Sequence, residues 1–325
     1  MSLLAIVVAL ALEQWRAFEW RTTVERSYVA YVRGIEQRLN GGTLGQGVLA
    51  TALAVVPPVA VAAFVWWLAH RVHPALGLAV NIAVLYVLMG FRRFSHAVSS
   101  IVAALAGGDI VAARRGLSQW RGGATAEPGS TAELTSQDVA RFAIERGIAD
   151  AYRQVFAVLF WFMVLPGPAG AVLYRAAALL AAQWKAPTPG DDLTVVTRSL
   201  LVFGRPARQL LWLLDWIPVR LTALSFAVVG DFEDAIYCWR TQARGWPPAY
   251  GGEARGILLA TGGGALGVQL GGSLPGIDGP EPCPQVGVGD PVEPEVLPSA
   301  VGLVWRALVL WLVLVLLLSL ANWAA

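Results

Sequence analysis

The chain has 325 residues, 56% hydrophobic and only 14% charged, with a mean hydropathy of +0.58. Soluble domains run near about 45–50% apolar and about 25% charged, so the composition is that of a membrane protein. A net charge of +2 argues against a general nucleic-acid binder, and two cysteines, Cys238 and Cys283, are too few for a disulfide framework.

Met1 to Leu12 is apolar, lacks a basic segment before it and a small-residue cleavage site after it, and reads as a short or tilted membrane helix. From Trp15 to Asn40, Trp20, Val24, Tyr28, Tyr31, Val32 and Ile35 recur among charges of both signs, the pattern of an amphipathic helix on the membrane face. Val48 to Ala69 is the first full span, with a kink expected at Pro57-Pro58 that neighbours must satisfy. A polar turn at His70–Pro74 precedes a return segment, Ala75 to Gly90. His70 and His73 carry no C-x-x-C or His/Cys metal spacing, and an interfacial turn is preferred to a ligand pair.

Phe91 to Asp150 is the main polar stretch, with helices predicted on either side of Gly107-Gly108 and a loop from Gly122 to Thr135. Ser136 opens a helix that continues without a breaker into the apolar Val155–Leu165, turns at Pro166–Gly170, and returns from Ala171 to Trp184. Lys185 to Val195 is a polar linker. Leu210 to Val229 is apolar but holds Asp215, Pro218 and Arg220. A charge at the bilayer centre costs about 2.5–3.5 kcal/mol on insertion scales, so this segment is read as a broken or partly inserted helix facing protein or water. Cys238 to Glu253 reads as interfacial, Asp278 to Pro298 as a flexible Pro/Gly/Glu linker, and Val301 to Trp323 as the surest membrane helix. The stretches 13–47, 91–154 and 185–208 hold most of the arginines, which places them in the cytoplasm and the turns at 70–74 and 166–170 outside. Lys185 is the only lysine, so the arginine content reflects codon bias rather than function.

Five ordered stretches resemble the CobD/CbiB family of membrane proteins: Phe91-Arg-Arg-Phe-Ser-His-Ala-Val with Gly108-Asp-Ile-Val-Ala-Ala-Arg-Arg115; Val139-Ala-Arg-Phe-Ala-Ile-Glu145; Val155 to Trp161 with Tyr174-Arg175; Leu214-Asp-Trp-Ile-Pro-Val-Arg-Leu-Thr-Ala223; and Ala265-Leu-Gly-Val-Gln-Leu-Gly-Gly272. The resemblance runs over roughly residues 3–272. It implies one of two activities. One branch resembles adenosylcobinamide-phosphate synthase, which joins a phosphorylated aminopropanol to a corrinoid carboxylate; the other resembles AmpE, a membrane protein linked to signalling for β-lactamase induction. Where the synthase pattern continues its first glutamate with further acids, Arg146, Gly147, Ile148, Ala149 and Asp150 follow Glu145 here. Leu211 and Trp212 stand in place of an Asp-Asp pair, and Asp215 stands where an Asn is usual. Those departures favour the AmpE-like reading.

Single residues carry alternatives. Asp215 and Arg220, flanking Pro218, either line a polar cavity that takes a ligand or form a structural pair at a helix break. Glu145 is a metal or substrate carboxylate near the cytoplasmic mouth of a membrane helix, or an exposed charge paired with Arg141, the latter preferred. Arg175 contacts an anion or snorkels. Gly262, Gly263, Gly264 and Gly267 invite a phosphate-loop reading without matching its spacing; Gly263, Gly267 and Gly271 recur every four residues, which suits close helix packing in a membrane. No Ser/His/Asp or Cys/His constellation is present.

The sequence therefore predicts an all-α, multi-pass protein of the bacterial inner membrane with about five or six membrane helices. Residues 1–277 form the membrane domain with a cytoplasmic helical region at about 91–150, 278–298 a linker, and 299–325 a terminal membrane helix. The expected role is a non-enzymatic AmpE-like modulator, with no metal or cofactor and with the lipid bilayer and a small polar ligand or membrane protein as partners. The alternative is a divergent synthase using ATP and Mg²⁺, with Glu145, Asp150 and Asp215 as its acids and Arg208, Arg220 and Gly262–Gly267 on phosphate. A transporter is a third, weaker reading, resting only on a charged, broken helix.

Overall fold

The computed structural model describes residues 2–15, 21–122, 133–184, 195–246, 251–272 and 283–324. In chain order the helices are α1 (Ser2–Trp15), α2 (Arg21–Leu39), α3 (Leu44–Val72), α4 (Pro74–Leu88), α5 (Phe91–Ala106), α6 (Ile110–Gly122) and α7 (Ser136–Ala151). A π-helical turn, Tyr152–Phe156, joins α7 to α8 (Ala157–Val164). Then come α9 (Ala169–Gln183), α10 (Val195–Phe203), α11 (Arg205–Val229), α12 (Phe232–Gln242) and α13 (Gly252–Leu266). Three short strands follow, β1 (Val268–Gly271), β2 (Gln285–Gly287) and β3 (Asp290–Pro291), before α14 (Leu297–Ala324).

The all-α expectation holds. Among the described residues, four helical stretches are long and apolar enough to cross a bilayer: Leu44–Val72, Ser136–Val164, Ser199–Val229 and Pro294–Ala321. The return segments α4 and α9 are 15 residues each, short of the about 20 that a full span needs. The predicted loop at 122–135 and linker at 185–195 lie almost wholly outside the described residues. Helix α7 opens at Ser136 as expected, and Thr135 caps it, its hydroxyl accepting from the Asp138 N–H while the Asp138 carboxylate accepts from the Thr135 N–H.

Two compact units emerge, 1–91 with 153–218 and 92–152 with 219–325. In the first, α3 packs on α2, α4, α9 and α10 around buried Val32, Ala54, Leu180, Trp184 and Phe203. A Cβ on Gly47 would lie 2.3 Å from the Phe203 carbonyl oxygen, so only glycine permits that approach.

Among the described residues three prolines lie in helix interiors, each with an aromatic donor near the carbonyl it strands. Proline has no N–H for the carbonyl four residues earlier, so Pro57, Pro58 and Pro218 strand the oxygens of Leu53, Ala54 and Leu214. The Tyr31 hydroxyl donates to the Leu53 oxygen at 2.7 Å, and the single proton of the Tyr28 hydroxyl is shared between the Ala54 oxygen at 3.3 Å and the Ala176 oxygen at 3.1 Å. The Trp161 indole N–H donates to the Leu214 oxygen at 3.0 Å. With those carbonyls satisfied, α3 and α11 run through their prolines as single helices of 29 and 25 residues. The expected break at Pro218 is thus absent. α2, read as a surface helix, packs on α3 and α9 and supplies two of the three donors.

In the second unit α13 packs on α7, α12 and β2, and α14 on α7. β1 pairs antiparallel with β2 and parallel with β3. The stretch expected to be a flexible linker is therefore ordered over residues 283–298, where Val286, Val292 and Leu297 are buried. Composition misleads there because glycines at positive φ, Gly287 and Gly289, turn the strands. The segment 238–253, read as interfacial, begins inside α12.

The every-fourth-residue glycine pattern is not a helix face. Gly267 caps α13 at φ +67° and Gly271 ends β1. Close approach is made instead by three consecutive glycines. A Cβ on Gly262 would meet Ile148 at 2.7 Å, on Gly263 the Val268 oxygen at 2.9 Å, and on Gly264 the Asp234 oxygen at 2.5 Å.

Cys238 on α12 is fully buried, whereas Cys283 is half-buried. Burial, and then the nearby Asp234 carboxylate, push the Cys238 thiol above its usual value, against a smaller opposing effect of a hydrogen bond with Gly287. Cys283 is therefore expected to react with a maleimide at neutral pH at least about tenfold faster than Cys238, which should label only on unfolding. Equal labelling of both thiols, read by intact mass, would contradict this packing.

Candidate functional site

Each unit holds one polar node built from residues of the family-like motifs. In the first, Asp215 sits on α11 with only 5% of its surface exposed, and the fully buried Tyr174 of α9 donates its hydroxyl to Asp215 Oδ1 at 2.8 Å. The stranded Leu214 carbonyl next to it is held by Trp161 of α8. Three motifs separated in sequence, at Trp161, Tyr174 and Leu214–Pro218, thus meet at one place. Asp215 is thus a carboxylate on an apolar helix oriented by a neutral hydroxyl donor.

In the second unit Glu145 on α7 is 4% exposed. Its Oε1 accepts from the Gly271 N–H at 2.7 Å, and Oε2 lies 3.5 Å from the Arg255 guanidinium. One turn earlier on the same helix, Arg141 donates to the Gly271 carbonyl at 2.8 Å and pairs with Asp138 at 3.2 Å. Glu145 and Arg141 therefore grip the two backbone groups of one glycine. The Arg255 guanidinium also lies 5.8 Å from the Trp246 ring centroid. The expected surface pair of Glu145 with Arg141 is replaced by this grip, because Glu145 faces inward.

The remaining candidates are dispersed. Asp150 accepts from the Trp120 indole at 3.1 Å and pairs with Arg146 at 3.5 Å. Arg220 pairs with Glu253 at 3.0 Å, so Arg220 and Asp215 each have a partner other than one another. Arg175 pairs with Glu25 of α2, which accounts for a charge in an apolar helix without an anion. Arg208 donates to the carbonyls of Trp184 and Leu201 at 2.9 and 2.7 Å, closing two helix ends. Gly262, Gly263 and Gly264 are buried against the protein's own atoms. A cavity of about 580 Å³ in the second unit is lined by Leu105, Ile110, Arg114, Ser136 and Glu295 among others, and by none of the sequence candidates. Among the described residues no three His, Cys, Asp or Glu side chains converge as metal ligands do.

Sequence reasoning missed Trp161, Tyr174, Arg255 and Gly271 as site residues. For Trp161 a signal existed: Pro218 strands the Leu214 carbonyl, and a buried carbonyl requires a donor.

The long apolar helices and the polar nodes held among them define a multi-pass helical membrane protein. The CobD/Cbib protein family model matches residues 6–304, and the chain belongs to that family. It is similar to proteins named cobalamin biosynthesis protein CobD. The one from Stutzerimonas stutzeri is 33% identical over 286 residues, 87% of this chain and 86% of the relative. That from Chromobacterium violaceum is 36% identical over 266 residues, 82% and 77% of the two chains. No solved structure matches the chain. The AmpE-like assignment gains nothing from these similarities, which fall on the cobalamin side of the family.

Proposed function

We propose that the protein acts in cobalamin biosynthesis as an amide-forming synthase, joining a phosphorylated aminopropanol to the carboxylate of adenosylcobyric acid. The observation that carries this reading is the similarity, over 87% and 82% of the chain, to relatives named for cobalamin biosynthesis. The reaction forms a C–N bond as a carboxylate oxygen, converted by a nucleoside triphosphate into a phosphate leaving group, departs. The attacking ammonium group must first lose a proton. Asp215, buried and oriented by Tyr174, is suited to receive it. Mg²⁺ brought with the nucleotide takes one or two carboxylates plus phosphate oxygens. Glu145 and Asp215 each offer a single carboxylate already holding a donor, which does not fit a resident metal site among the described residues.

The test supplies the purified protein in nanodiscs with adenosylcobyric acid, aminopropanol phosphate, ATP and Mg²⁺, and follows the amide product by mass spectrometry. Product is expected, with a loss of at least about 100-fold in Asp215→Asn. No product beside an active family synthase would sink the reading. It would return weight to an AmpE-like modulator, which one observation favours: Glu145 and Asp215 are both engaged by the protein itself.

A further inference from the structure

Among the described residues, all those lining the cavity of about 580 Å³ belong to the second unit. Its walls come from the end of α5, the starts of α6 and α7, and the 3₁₀ turn Pro294–Val296 that precedes α14. Small-molecule sites are concavities of about 300–1,000 Å³, mostly apolar, with a few placed polar groups. This cavity has that make-up, with Leu105, Ile110 and Pro298 beside Arg114, Ser136 and Glu295.

The cationic group is Arg114 on α6. Its Nε donates to the carbonyl of the buried Leu134 at 2.8 Å, which fixes the guanidinium just before the start of α7. The N-terminal end of that 16-residue helix and the Ser136 hydroxyl add to an environment that favours an anion with several acceptor oxygens. The Asp138 carboxylate of the same turn is held by the Thr135 hydroxyl and by Arg141 at 3.2 Å. The anionic group is Glu295, which is exposed. Its place in the wall is set from both sides, since Pro294 has a fixed φ and Val292 and Leu297 are buried.

From opposite charges set in one small, partly apolar cavity we infer that it binds an aminoalkyl phosphate. The phosphate lies on Arg114 and Ser136, the ammonium group on Glu295, and the short carbon chain against Leu105 and Ile110. A plain anion meets the Glu295 carboxylate and a plain amine meets Arg114, so each half alone is disfavoured by the group that suits the other. The phosphorylated aminopropanol of the proposed synthesis belongs to this class, and its choice as the probe rests on that reading. The headgroup of phosphatidylethanolamine has the same chemistry.

The test titrates aminopropanol phosphate into the full chain in phosphatidylglycerol nanodiscs, whose lipid carries no amine, and reads binding by calorimetry. Saturable binding is expected, at least about tenfold tighter than that of propyl phosphate or of aminopropanol. Glu295→Gln, at an exposed position, is expected to weaken aminopropanol phosphate at least about tenfold and to leave propyl phosphate no weaker. Arg114→Gln is expected to weaken both, but Arg114 also holds the Leu134 carbonyl, so Glu295→Gln decides. Nanodiscs containing phosphatidylethanolamine tell the two sources apart: competition with the free ligand makes the headgroup an occupant, and unchanged affinity makes the soluble phosphate the occupant. Both outcomes keep the site. No saturation by about 10 mM, propyl phosphate bound as tightly as aminopropanol phosphate, or indifference to Glu295→Gln overturns it. Binding needs no turnover, so the synthase reading fails separately. Binding without amide product keeps the site and sinks the synthase, whereas product formation indifferent to Glu295→Gln overturns the site alone.

Discussion

Replacing Glu145 with alanine is expected to lower the stability of the protein by about 3 kcal/mol, the loss typical when a buried, charged hydrogen-bond partner is removed. Alanine leaves the buried Gly271 N–H without its acceptor at 2.7 Å and leaves Arg255 without the carboxylate oxygen at 3.5 Å. Glu145→Gln separates the two contributions. The glutamine carbonyl still accepts from Gly271, so only the charge opposite Arg255 is lost. Because the Arg255 side chain is 27% exposed and the contact is long, that part is the smaller. Equilibrium unfolding in detergent should therefore rank wild type above Glu145→Gln and Glu145→Ala well below both. An alanine variant as stable as wild type would mean that the grip on Gly271 contributes nothing.

The second large effect concerns Trp161. Trp161→Phe removes the donor to the Leu214 carbonyl and is expected to cost about 1–3 kcal/mol, the desolvation penalty of a stranded acceptor. In a Pro218→Ala background the new N–H at position 218 can serve the same oxygen, so the same substitution should cost at least about 1 kcal/mol less. Any packing lost with the indole is common to both backgrounds and cancels in the cycle. The pair Tyr31→Phe and Pro57→Ala should behave likewise, since the Tyr31 hydroxyl reaches the Leu53 oxygen. Additive effects in both cycles would show that the aromatic donors are bystanders to the prolines.

Much of the helical layout was legible from hydropathy alone. The break at Gly107-Gly108, the helix start at Ser136, the turn at Pro166–Gly170 and the terminal helix all appear close to their expected places, because each follows from local chemistry. The strands at 285–291 were not legible. They are two or three residues long and owe their order to pairing with β1, while their Pro/Gly/Glu composition is that of a linker. The continuity of α11 was hidden for a different reason. Proline announces a break, and only the position of Trp161, 53 residues away, removes the need for one. The π-turn depends on a single residue of register, which periodicity over so short a stretch does not resolve. At the candidate site the family-like motifs singled out Glu145 and Asp215, but their partners Gly271 and Tyr174 are tertiary neighbours that no spacing rule predicts.

The grip of Glu145 on Gly271 also sets an order of events during synthesis. The two residues are 126 positions apart. At about 5–20 residues per second the ribosome delivers the second roughly 6–25 s after the first. Through that interval the intervening residues 153–218, which belong to the other unit, emerge before the second unit resumes at 219. Glu145 must meanwhile stay hydrated, since its acceptor oxygens have no Gly271 amide to receive. The unit that begins first in this region is therefore the one that finishes last, and a chain truncated before Gly271 carries an inward-facing carboxylate that lacks its amide donor.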